Sequence, residues 1–105
     1  MKTEKRKKHV RAAEDFAHHL DRALRAFRET DKPLWKRTQN GLIAFKGLDM
    51  THLPPRLDKA VDLRFGALNK ILAHYDIKTW DDYQNISDED LLKMQSLFEG
   101  FVQDQ

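Results

Sequence analysis

The chain has 105 residues, 40% hydrophobic and 34% charged, with 19 Lys and Arg against 17 Asp and Glu and no cysteine. A length of this order supports one domain with a modest core, and the missing cysteines exclude a disulfide scaffold or a thiolate metal site and fit a reducing compartment. The near-neutral total hides a polarity, since residues 1–47 carry 13 cationic and 6 anionic side chains and residues 48–105 carry 6 and 11. That asymmetry bears on partners, not on fold.

The first ten residues, MKTEKRKKHV, are basic like the start of a secretion leader, but the following RAAEDFAHHLDR is too charged to complete one. The longest purely apolar run, LIAF at 42–45, is far too short for a membrane span. A cytoplasmic location is therefore expected, and residues 1–7 are read as a frayed basic tail. Val10, Ala13, Ala17, Leu20, Leu24 and Phe27 then recur at intervals of 3, 4, 3, 4 and 3. This spacing predicts a first helix over about Lys5–Glu29 with one apolar stripe, widened by Phe16 and Ala23. ETDKP ends it, because a residue before proline is pushed out of the α region.

A second helix is expected to start at Asp31 or Lys32, with Pro33 in its first turn and Leu34, Thr38, Leu42 and Phe45 on one face. Asn40-Gly41 argues against it, being equally a hairpin-turn pair. Gly47 suits its C-terminal cap. DMTHLPP is the clear connector, and Pro55 opens a third helix. There Leu57, Val61, Phe65, Leu68, Leu72 and Tyr75 form a stripe broadened by Leu63 and Ile71.

The stretch KTWDDYQNISDEDLLKMQ offers two capping boxes, Thr79 with Asp82 and Ser87 with Asp90. In each, the hydroxyl and the carboxylate would satisfy orphan N–H groups at a helix start. Ile86 and Leu91 add a hydrophobic staple to the second. A short helix over 80–85 follows, dropping Trp80 and Tyr83 onto the core, and then a last helix over about 88–102 with Leu91, Met94, Phe98 and Phe101 inward. The fold class expected is all-α: a compact bundle of four main helices plus the short one, the first and third forming an antiparallel spine.

Residues 71–94 resemble the front part of helix-hairpin-helix modules, which bind DNA backbone. The Gly-x-Gly hairpin those modules present to phosphate is missing here, where the chain reads QSLFEGFV. The segment is read as structural.

The candidate partner or nucleic-acid surface comprises Lys5, Arg6, Lys7, Lys8, Arg11, Arg22 and Arg25 along the first helix, followed by Trp35, Lys36 and Arg37. Cations of this kind neutralise phosphates, and an exposed indole stacks on bases. The competing account is a solvated face that complements the acidic half. Trp35 is expected partly exposed and Trp80 buried. Asp15-x-x-His18 and Asp49-x-x-His52 have the i, i+3 spacing of shared ion ligands, but no Glu-x-x-His motif accompanies them, so no metal or other cofactor is expected. No nucleophile motif or phosphate loop appears. The sequence therefore points to a small non-enzymatic interaction or regulatory protein with a protein partner or a second copy of itself. The alternative is an accessory nucleic-acid-binding protein; no small-molecule substrate is expected.

Overall fold

A computed structural model describes the backbone of residues 2–103 and the side chains of residues 7–102. Its helices are α1 (Lys2–Phe27), α2 (Leu34–Ile43), α3 (Pro55–Leu72), α4 (the short 3₁₀ helix Trp80–Asn85) and α5 (Asp88–Gln103). No strand occurs among the described residues, so the all-α bundle of four main helices and one short one is what the chain forms. α1 begins at Lys2, inside the stretch expected as a tail, while the side chains of residues 1–6 lie outside the described residues.

α1 presents Ala12, Phe16, Leu20, Ala23 and Phe27 to the core. These are rotated about 70° round the helix from the stripe read in the sequence, at roughly 100° per residue. Phe16 and Ala23 are central to the contact, whereas Val10 is 52% exposed and Ala17 faces solvent. Large aromatic residues decide the rotation. Phe16 meets Phe45 at 5.5 Å and Phe101 at 5.1 Å between ring centroids, and Phe98 meets Phe27, Phe45 and Phe65 at 5.7, 5.2 and 5.6 Å. Such rings bury the most area per residue and favour tilted or offset contacts, so they outrank the alanines and Val10.

α2 runs antiparallel to α1. Asn40-Gly41 makes no hairpin. A Cβ on Gly41 would lie 2.1 Å from Cε1 of Phe27, so the glycine is where the two helices close on a ring. Pro33 is itself the N-cap residue of α2, where Asp31 or Lys32 was expected to cap and Pro33 to lie in the first turn. The helix ends at Ile43 and continues as further turns to Gly47, whose φ of +83° suits a residue without Cβ. Thr38 and Gln95 are buried, and Gln95 Nε2 donates to Thr38 Oγ1 at 2.9 Å, tying α2 to α5. Thr38 in turn donates to the Leu34 carbonyl.

The expected spine of first and third helices is not formed. α1 packs on α2 and α5, and α3 packs on α5, which lies between them. Arg64 of α3 reaches the carbonyl of Leu97 and the ring of Phe101, while Ile71 shares a groove with Leu92 and Lys93. α3 is therefore antiparallel to α5, as α1 is through Phe16–Phe101 and Phe27–Phe98. α1 and α3 consequently run the same way. Short connections still give an up-and-down succession; they do not make every pair of long helices neighbours.

Both predicted caps mark real starts. Asp82 accepts from the backbone N–H of Thr79 at 2.9 Å and of Lys78 at 2.8 Å, closing the first capping box. At the second, Asp90 N–H donates to Ser87 Oγ at 3.2 Å, but the Asp90 carboxylate takes the hydroxyl of Tyr75 instead of the Ser87 backbone. Ser87 N–H donates to Tyr75 Oη at 3.3 Å, so the tyrosine is inserted into the box. Ile86 and Leu91 are buried, as a staple requires. Trp80 is not: it is 37% exposed, while Tyr83 is buried. In a 3₁₀ helix residues three apart eclipse. Tyr83 takes the core position and Trp80 lies over it from outside, 5.5 Å between rings.

Candidate interaction surface

The basic residues do not form one surface. Lys7, Lys8, Arg11, Arg22 and Arg25 are exposed on α1, on the side turned from the core. Lys5 and Arg6 belong to the same helix, but their side chains lie outside the described residues. Arg25 is engaged by Asp21 at 3.0 Å, an exposed pair worth little. No described carboxylate pairs with Lys7, Lys8, Arg11 or Arg22.

The three residues on α2 are occupied differently. Trp35 is half-buried against the core, and Lys36 Nζ sits 5.7 Å from its ring centroid. Arg37 Nη1 donates to the carbonyl of Phe27 at 3.3 Å, satisfying an orphan acceptor at the end of α1. Trp35 thus anchors α2, and Arg37 joins the two helices. The expected indole platform beside a row of free cations is reduced to a convex ridge on α1.

Of the metal-spaced residues, Asp49 is taken up by local hydrogen bonds. The Asp49 carboxylate accepts from the Thr51 hydroxyl at 2.7 Å and N–H at 3.0 Å, and these bonds hold its pKa below the usual carboxylate value. His19 Nδ1 lies 2.7 Å from the Asp15 backbone carbonyl, a contact that engages neither the Asp15 carboxylate nor His18. Among the described residues no three metal-capable side chains converge.

The surface that sequence reasoning missed is apolar and belongs to α3. Leu63, read as widening the stripe, is 75% exposed. It lies about 200° round the helix from buried Val61, so a helix covered on one side cannot bury both. Beside it, Ala13 of α1 and Leu57, Ala60 and Leu63 of α3 line an open groove of about 860 Å³, rimmed by Arg56, Lys59 and Asp62. A second groove of about 550 Å³ lies between α3 and α5, floored by Ala67, Ile71 and Leu97 and bordered by Leu92, Lys70 and Glu89. Leu92 is 53% exposed. The adjacent pair Leu91-Leu92 held a clue, since consecutive residues point about 100° apart and both are covered only where neighbours reach two sides of the helix. No helix among the described residues is long and apolar enough to cross a membrane. No protein-family model, no curated protein and no solved structure matches the chain.

Proposed function

We propose that this chain acts by binding protein, in the cytoplasm and without chemistry of its own, through the uncovered flank of α3. The exposed Leu63 between two apolar grooves carries this reading. Monomers rarely leave grouped leucines in water, and a polar rim round an apolar strip is the usual make-up of a recognition site. Helix-lined grooves accept an amphipathic helix through anchors at i, i+3 and i+7. The test is a photo-crosslinking amino acid placed at position 63, with position 22 on the far face of α1 as control, in cells producing the chain. Adducts to protein at 63 and not at 22 are expected. Equal yields at both positions, or none at 63, remove the reading.

A second reading keeps the unpaired cations of α1. Lys7, Lys8, Arg11 and Arg22 would bind the backbone of a nucleic acid, with affinity falling steeply as salt rises. Its support is weaker, since Trp35 and Arg37 are engaged elsewhere and a single convex ridge reaches few phosphates. A duplex shift at low salt that disappears when all four become Ala would favour it.

A further inference from the structure

Resting on the docking role of α3, we propose that the occupant is an acidic amphipathic helix of another protein, laid along a cationic edge beside Leu63. Arg56, Lys59, Leu63, Gly66 and Lys70 follow one another at intervals of 3, 4, 3 and 4. That spacing sets them in one row along α3, on the side turned from buried Val61 and Leu68. All five are exposed. Among the described residues no carboxylate pairs with Arg56, Lys59 or Lys70. Glu89, which borders the second groove with Lys70, is held by Lys93 of its own helix at 3.6 Å. Asp62 borders the first groove, but points about 100° round α3 from Leu63, away from the row. The edge therefore offers three uncompensated cations within about 21 Å. Carboxylates are the complement such an edge selects, and it repels a basic partner.

The apolar strip beside the row says that the occupant is a helix. The groove at Ala60 and the groove at Ala67 are centred about ten residues, or roughly 15 Å, apart along α3. A helix that fills both carries large apolar side chains about three turns apart, with its acidic residues on the flank that meets the row. A phosphate backbone would meet the cations but leave the grooves empty. Gly66 supports the close approach of a second helix. A Cβ there would meet nothing within 4 Å, so no contact inside the fold calls for a glycine, which weakens the middle of an exposed helix. A partner crossing beside Leu63 supplies the reason, because the distance between two packed helices is set by the side chains at the contact. The contact is one helix wide, at the small end of specific interfaces, and binding is reversible.

Fluorescence anisotropy of the full chain with two labelled helical peptides tests this. Both carry leucines at i, i+3, i+7 and i+11; the flanking positions are glutamate in one peptide and lysine in the other. The acidic peptide binds at least about tenfold more tightly than the basic one. Leu63→Glu loosens it by more than about tenfold, with the helical circular dichroism retained. Arg56→Glu, Lys59→Glu and Lys70→Glu combined in one chain reverse the preference. Gly66→Gln raises the unfolding midpoint yet loosens the acidic peptide. No binding, equal binding of the two peptides, or an affinity indifferent to the Leu63, Gly66 or charge changes overturns the inference. Attachment to phosphatidylserine-containing vesicles that Leu63→Glu abolishes overturns it in favour of a lipid surface. The position-63 crosslink separates it from the docking role. An adduct mapped to an acidic helical segment of another protein supports the inference. An adduct to a second copy, or to a segment without net negative charge, overturns only the acidic helix, and no adduct overturns both.

Discussion

α1 and α3 both repeat apolar residues every three or four positions, yet they end in different surroundings. α1 buries Ala12, Phe16, Leu20, Ala23 and Phe27, whereas Val61 and Leu68 are the fully buried residues of α3. The difference lies in neighbours. α1 is held by α2 on one side and α5 on the other, while α3 rests mainly on α5. Periodicity makes a helix amphipathic, but how much of its stripe is covered depends on how many helices reach it. A regular stripe with one neighbour is a folded element that still has apolar surface to give.

The largest way to sharpen this contrast is Phe16→Ala. The ring is almost wholly buried between Phe45 and Phe101, and its loss costs about 3–5 kcal/mol by denaturant unfolding. A loss as small as that of a surface residue would mean that α1 is not the covered helix. Gly41→Ala comes next. Alanine is the better helix former, but its Cβ would press into the Phe27 ring, and overpacking of that kind costs about 1–3 kcal/mol. A gain in stability would show that the helices separate easily.

Thr38→Val leaves Gln95 Nε2 buried without the acceptor it uses, a loss of about 1–3 kcal/mol in the same unfolding assay. On α3, Leu63→Ala changes the unfolding free energy of the monomer by no more than about 0.5 kcal/mol. A clearly larger cost would place that residue inside the fold and undo the contrast. The smallest effect concerns Asp82. Hydrogen bonds from Thr79 and Lys78 hold its carboxyl below the ordinary value of 3.8. The ionised form therefore stabilises the fold above about pH 4, and this contribution is lost as pH falls through the lowered value. In acid titrations followed by circular dichroism, Asp82→Asn shows a shallower loss over that range than the wild type.

The helices and three of their starts were legible in the sequence because caps and periodicity are local. Thr79 with Asp82 and Ser87 with Asp90 marked two real starts, and Pro55 marked another. What was not legible depended on distant residues. The rotation of α1 is set by Phe45, Phe98 and Phe101, and Gly41 looked like a turn because its reason, the Phe27 ring, lies on another helix. The candidate surface was the least legible part. Charge is conspicuous along a sequence, so the basic residues drew attention. Leu63 and Leu92 look like ordinary core leucines until the packing of their neighbours is known.

The bond from Gln95 to Thr38 joins residues 57 apart in sequence within an otherwise greasy interior. Hydrophobic contacts are non-directional; a hydrogen bond adds a preference for the setting in which donor and hydroxyl align. The pair thereby favours, together with buried Leu91, Met94, Phe98 and Phe101, the rotational setting of the final helix that leaves Leu92 outside. Replacing both with aliphatic residues would keep the chain folded but free that helix to settle in more than one orientation, which nuclear magnetic resonance would register as broadened or doubled signals along it.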